Sequence, residues 1–464
     1  MISKKTLFSI IMARRVRAIS KKPQVFSKYL AEKKTLERLA KFEELLAGMM
    51  GSAEGKPEAL DDIKVVEVSY ANFAGIIAAT ILAEFGAEVI KVEPQEGDPA
   101  RKITPYGVNI NGLGIPFLME SRNKYYITLD LNSEKGRENF KKLASQVDVV
   151  IDATKPGLMH SLGIGYKQLS QLNPGLIYVA ISPFGHFTSK AEEFHNVPDT
   201  DLTAQAESGY PAIHGDPKAP EPYSYPLRAG IWAAWYMAAG LSVAGTLVAL
   251  YHKRKTGEGQ MIDIATNDAI TTWIGHSVIW GFTMEMPRVR LGSFDWCLYP
   301  YGYFKCKDGY LTITTSRDED FRGLLKILGR WDLEDDWKYM LDRITDDIDR
   351  LETLGAELDK ELAKYTRDEL VKKALDYSAK ASRDRLRAKG FPIIVKTLTP
   401  TEVLKEQHWK VRNTLIEVNH PTYGKFILPA SVPKMSKTPP RIKQIKCDIG
   451  EDNEFIYKKY GLHM

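Results

Sequence analysis

Cysteine is scarce. Cys297, Cys306 and Cys447 are the three in 464 residues, an odd and sparse set that argues against a disulfide framework and reads as reduced thiols in the cytoplasm. No CxxC or HxxxH pair offers zinc-ligand spacing, so no metal is expected. The chain has no Walker phosphate loop and no GxGxxG, which leaves nucleotide hydrolysis and standard dinucleotide binding without support. Gly157, Gly163 and Gly165 lie near a strand end but fit no fingerprint, and they read as turn punctuation. A secretory core is missing as well, because the apolar stretch from Leu7 to Ala13 is broken by Ser9.

Charge of one sign is nearly absent from one segment. Residues 1–34 carry ten basic side chains and a single acid, Glu32, a net +9, although the whole chain is only +5. The remaining 430 residues therefore sum to 5 − 9 = −4. A mildly acidic body excludes nucleic-acid binding by the whole protein. The basic segment reads either as a targeting peptide or as an arm that wraps a partner, and the helical stripe Leu36, Leu39, Phe42, Leu46 and Met49 that follows needs a surface to pack on.

From Ala229 to Tyr251 there are 23 residues without a charge, and about 20 suffice to span a bilayer. A membrane-anchored protein is thus one reading. A helix buried inside a large domain is the other, favoured by the mid-chain position and by an Ala- and Gly-rich composition.

After a linker at residues 51–59, short β-branched runs alternate with helical patterns. Strands are expected at Ile63–Val68, Glu88–Glu93, Tyr126–Leu131, Val149–Ala153 and Leu176–Ser182, with helices at Ala74–Phe85 and Glu134–Val147 between them. This alternation predicts an α/β fold with a doubly wound parallel sheet whose ligand crevice lies at the carboxyl ends of the strands. Near Leu298 the texture becomes aromatic and antiparallel, with Asp308-Gly309 as a hairpin turn. The division expected is a basic extension at 1–59, a large α/β domain at 60–285, a small α+β domain at 286–400, and a segment at 401–464 that returns to the large domain.

Two groups of side chains could carry chemistry. Arg101, Arg122, Lys124, Lys155 and Arg228 are expected on loops beside strand ends, where guanidinium and ammonium groups hold a phosphorylated ligand; taken singly, each also reads as solvated surface charge. Asp199 and Asp201 form a close carboxylate pair. Such a pair can split its pKa values for acid–base or nucleophilic work, while Asp201 equally suits the N-cap of the helix that follows it. His186, His195 and His214 surround this loop without a spacing that specifies a triad.

The segments LAEFGAEVIKVEPQEGDPAR (82–101), SRNKYYITLDLNSEKGR (121–137), VDVVIDATKPGLMHSLGIGYKQLSQLNPGLIYVAISPFG (147–185), DLTAQAESG (201–209) and GTLVALYHKRKTGEGQMIDIA (245–265) together resemble the family III CoA-transferases. The resemblance implies a Rossmann-like large domain, interlocked ring-shaped dimers, and coenzyme A as the substrate thioester, held here by Arg101, Lys124, Leu129 and Lys155. It also implies that the apolar run is an internal helix of the large domain.

In that family an aspartate attacks the acyl-CoA, and it stands about ten residues before the glycine matching Gly245. Here that place is Trp235, or Ala234 if the spacing differs by one, and no Asp occurs between Asp216 and Asp263. Ser161 stands where an arginine is common, and Asn132 where a lysine is common. The resemblance therefore implies a non-catalytic subunit, paired with a homologous chain in a heterodimer or heterotetramer of the succinyl-CoA:benzylsuccinate type. The substrates would be an acyl-CoA and a carboxylic acid. Asp201 matches a secondary acidic position, one used for proton transfer in the related racemases. It offers the alternative of a self-sufficient transferase or racemase, with His195 as a partner.

Overall fold

The computed structural model describes residues 33–195, 197, 199–285, 288–295, 298–337, 343, 348–383 and 390–463. All of the basic stretch except Lys33 and Lys34 lies outside them, as does Cys297. The chain divides into two compact units. The larger holds Ala47–Pro211, Arg228–Ile279 and Gln407–Met464; the smaller holds Ala212–Leu227 and Trp280–Glu406 together with the start of the chain.

A six-stranded sheet organises the larger unit: β1 (Lys64–Ser69), β2 (Glu88–Glu93), β3 (Lys124–Thr128), β4 (Val149–Ala153), β5 (Ile177–Ser182) and β6 (Met261–Ala265). All neighbours pair in parallel in the order β3-β2-β1-β4-β5-β6. This is the doubly wound arrangement that the strand–helix alternation predicts, and its strand order reverses between β1 and β4. β1 to β5 are buried along almost their whole length, as parallel strands covered on both faces must be.

Helices α1 (Phe73–Glu84), α2 (Glu134–Ala144), α3 (Asp201–Glu207), α4 (Ala233–Thr256) and α5 (Thr266–Trp273) follow in chain order. α1 is buried nearly all round, and it approaches the sheet closely because Gly75 has no side chain. A Cβ there would meet Ala153 Cβ and Ser69 Oγ at 2.5 Å. α4 is long and apolar enough to cross a membrane. Here one flank of it, including Ala234, Trp235, Ala238, Ala239 and Ala249, is buried in the larger unit, where Trp235, Ala238, Ala239 and Ala249 share a core with α1. A second core on the other face of the sheet joins α2 to the C-terminal helix Asn453–Tyr460.

In the smaller unit β7 (Tyr301–Cys306), β8 (Gly309–Thr314) and β9 (Ile393–Lys396) form an antiparallel sheet in the order β9-β8-β7. The turn falls at Lys307-Asp308, one residue before the expected Asp308-Gly309, and Gly309 pairs with Cys306 as the first residue of β8. Alternate residues Phe304, Leu311, Ile313 and Ile394 pack on α6 (Asp318–Leu328), α7 (Ile348–Leu362) and α8 (Arg367–Arg383). The expected α+β texture is present.

Candidate active site

The carboxyl ends of β1 and β6 and the start of α4 converge on the two carboxylates that the sequence singled out. Thr200, not Asp201, caps α3. Asp201 instead reaches across to α4, where Trp232 at the cap position supplies no side-chain acceptor. Its Oδ1 accepts the backbone N–H groups of Ala234 at 2.8 Å and Trp235 at 3.1 Å, and Gln205 Nε2 donates to Oδ2. The carboxylate thereby satisfies two of the orphan donors at a helix start. Burial pushes its pKa up; the bonds from Trp235, Gln205 and Ala234 only partly hold it down.

Asp199 is held differently. Asn72 Nδ2 and Thr266 Oγ1 donate to its Oδ2 at 2.9 and 3.0 Å, whereas Oδ1 is enclosed without a hydrogen bond. Burial raises this carboxyl to about 6, against the bonds from Thr266 and Asn72. The neighbouring Trp235 indole lowers it further without closing a hydrogen bond of ordinary geometry, so its N–H is also enclosed and unbonded. Because the folded value lies above the ordinary 3.8, ionising Asp199 costs stability that is retained below pH 3.8 and lost as pH rises through about 6. Asp199→Asn is therefore expected to stabilise the protein at pH 8 by at most about 3 kcal/mol and to be neutral at pH 3.5. Denaturant titrations at the two pH values check this; equal midpoint shifts at both would refute it.

Asn72 is positioned by a buried network. Its Oδ1 caps α1 through the Ala74 N–H at 2.9 Å. The preceding Ala71 has φ +54° and donates its N–H to Asp98 at 2.8 Å. Asp98 is paired at 2.8 Å with Lys91, Lys91 with Glu67, and Glu67 with Lys124, all at 2.8 Å and all enclosed. A left-handed non-glycine residue is strained, and this ion network holds the turn that aims Asn72.

The position of Trp235 is filled. Its ring packs 5.7 Å from Phe73 and 5.2 Å from Trp232, whose own ring lies 4.4 Å from Phe73. Trp235 is only 6% exposed, a core side chain, whereas Tyr236 on the same helix is exposed.

The cations expected on ligand-facing loops are not brought together. Lys124 opens β3 and is fully buried, its ammonium on Glu67 and the Ile76 carbonyl. Arg101 is buried against Glu93 and the Cys447 carbonyl, stacked over Phe117 and Tyr126. Arg122 is buried between Glu84 and Glu120. Leu129 is buried, and its N–H is bonded to the Glu93 carbonyl. Lys155 and Arg228 are exposed, and Lys155 stands just beyond the carboxyl end of β4.

Three site residues escaped the sequence reading: Asn72, Thr266 and Asp263. Asp263 on β6 receives the His186 backbone N–H at 3.1 Å and lies 2.6 Å from His186 Nδ1. The local signal for the sixth strand, the alternation MIDIA, was present; the pairings, across 67 to 127 residues, carry no local signal. His195 is exposed, with Nδ1 2.8 Å from the Glu192 carbonyl. No group of three or more metal-ligating side chains occurs among the described residues.

Comparison with known proteins agrees with this architecture. The model of CoA-transferase family III matches residues 60–453. The succinyl-CoA–D-citramalate CoA-transferase of Chloroflexus aurantiacus is 29% identical over 408 residues, 88% of this chain and 95% of that protein. The alpha and beta subunits of succinyl-CoA–L-malate CoA-transferase from Chloroflexus aurantiacus are 28% and 29% identical, each over 86% of this chain and over 92% and 93% of their own lengths. The crystal structure of a CAIB/BAIF family protein from Brucella suis superposes with a TM-score of 0.73 at 25% identity, covering 87% of this chain and all of that one. The chain, with its parallel sheet and a match spanning most of its length, belongs to CoA-transferase family III.

Proposed function

We propose that this chain is a subunit of a CoA-transferase that moves CoA between an acyl-CoA thioester and a free carboxylic acid, and that a homologous partner chain supplies the nucleophile. Family III transfer begins when a carboxylate oxygen attacks the thioester carbonyl and expels CoA thiolate, leaving a mixed anhydride. The thiolate then attacks the enzyme's own acyl carbon, releasing the first acid and leaving an enzyme-bound CoA thioester, from which the incoming acid takes CoA by the reverse sequence. Such a step needs a carboxylate with a reachable oxygen.

The observation that carries this reading is Trp235. By the family resemblance the indole takes the nucleophile's place; it packs against Phe73 and Trp232, and the nearby Asp201 is committed to the start of α4. That both subunits of one two-subunit relative resemble this chain supports pairing with a homologue. The sparse, unpaired and buried Cys306 and Cys447 support a cytoplasmic setting.

Purified alone, the chain should exchange no CoA between succinyl-CoA and a free acid above the uncatalysed rate. Purified with its homologous partner, it should exchange at an ordinary enzymatic rate. Full activity of the lone chain would end the proposal.

A second reading, a self-sufficient transferase or racemase using Asp201, has in its favour the two carboxylates beside the start of α4. Asp201→Asn, which keeps an acceptor for the α4 amides, separates the two. Activity of the assembled enzyme within about threefold of wild type, roughly 0.7 kcal/mol, supports the subunit reading; abolition supports the second.

A further inference from the structure

The returning C-terminal segment carries charge that the site does not use. Between Gln407 and Cys447 there are eight basic side chains and one acid, Glu417, a net +7, in a body that is otherwise acidic. Its hairpin, Leu415–His420 with Gly424–Pro429, meets the sheet at the edge where the strands begin. The Pro429 carbonyl accepts from Arg122, just before β3, and the Ser431 hydroxyl donates to Glu84, the last residue of α1. Asn72, Asp199 and Thr266 gather at the opposite edge, where strands β1 and β6 end. A macromolecule bound at the hairpin base therefore leaves the candidate site open.

The hairpin base brings two cations together. Lys434 donates to the Asn413 carbonyl at 3.1 Å, which sets it beside Arg412. Burial and then Arg412 push the Lys434 ammonium's pKa down, with only the enclosed Glu84 acting against them. Lys410 and Arg412 are exposed, and in the same two stretches of chain Val411 is 72%, Val432 71% and Met435 37% exposed. Exposed aliphatic side chains that alternate along the chain with cations, two of which repel one another, match an interface with an apolar centre and a charged rim.

From this we infer that Lys410, Val411, Arg412, Val432, Lys434 and Met435 dock the homologous partner chain, which meets them with an apolar patch bordered by Asp and Glu side chains. The inference rests on the two-chain reading above and adds the chemistry of the contact. A second copy of this chain presents the same cations, so an isologous contact through this surface sets like charge against like. An unlike chain with an acidic rim relieves that repulsion. The surface thus selects a heteromer over a homomer by charge.

The experiment uses the tagged full-length chain expressed in its source cell, as wild type and as K410E/R412E. Both substituted side chains are exposed, so the free variant is expected to unfold at the wild-type temperature. Wild type should bring down the homologous chain in constant ratio, and the variant roughly tenfold less, the loss of about 1.4 kcal/mol of contact energy. A photo-crosslinking residue at Val432 of the otherwise unaltered chain should attach to that same homologue. Wild-type recovery of the homologue by K410E/R412E overturns the inference, as does a cross-link to a second copy or to an unrelated protein; in either case active two-chain enzyme still upholds the functional reading. Absence of any homologue with the wild type overturns both.

Discussion

Replacing Glu67 with leucine is expected to lower the unfolding free energy by about 3–5 kcal/mol at pH 7. The carboxylate is wholly enclosed and bonds Lys91 and Lys124 at 2.8 Å each. Leucine at that place leaves Lys91 with Asp98 alone and Lys124 with the Ile76 carbonyl alone, so two buried cations lose a shared counter-charge. Burial by itself raises the Glu67 pKa, but the charges and hydrogen bonds of Lys124 and Lys91 outweigh it and hold the carboxyl at about 2, below its ordinary 4.5. The stabilisation is therefore complete above pH 4.5 and is lost as pH falls towards 2. Wild type and variant should differ most at neutral pH and converge in acid. A urea midpoint unchanged at pH 7 would show that the network contributes nothing to stability. Loss of the network also frees the left-handed Ala71 turn, so Asn72 and its bond to Asp199 should loosen in the same variant.

Trp235→Ala carries the second large effect. Removing a buried indole that packs on Phe73 and Trp232 leaves a cavity, and such truncations cost about 3–5 kcal/mol. On the two-chain reading the catalytic outcome runs the other way: enzyme assembled with the homologous partner should keep its turnover per folded molecule, because in that reading the indole takes no part in bond making. Stability is read from denaturant midpoints and turnover from exchange rates normalised to folded protein. A fall in turnover larger than tenfold at full assembly would place Trp235 in the reaction and remove the main support for the subunit reading.

Much of the sheet was legible because burial on both faces writes itself as β-branched runs. Glu88–Glu93 and Val149–Ala153 fall where the pattern places them, and β1 and β5 differ by one residue at their ends. The pattern starts β3 two residues late, at Tyr126 instead of Lys124. A lysine opening a strand resembles loop sequence, and what makes it a strand residue is a counter-charge on β1, 57 residues earlier. The same fact explains why Arg101, Arg122 and Lys124 read as ligand cations: sequence displays a charge but not the distant carboxylate that neutralises it. Asp199 and Asp201 were legible as a pair. Their division of labour was not, because it depends on the α4 amides and on Asn72 and Thr266, none of them a sequence neighbour.

The open margin of the sheet at β3 is closed by residues 444–453. Asn123 donates its N–H to the Gln444 carbonyl, Tyr126 exchanges bonds with Asp452, and Thr128 donates to Asn453, all at 2.9–3.0 Å. During synthesis those partners leave the ribosome some 320 residues after β3. For some 300 residues of elongation, β3 presents unmatched amides of the kind that recruit foreign strands. Biogenesis of this protein therefore hinges on residues 444–453, and a premature stop before them would release a chain whose sheet stays open as an aggregation seed.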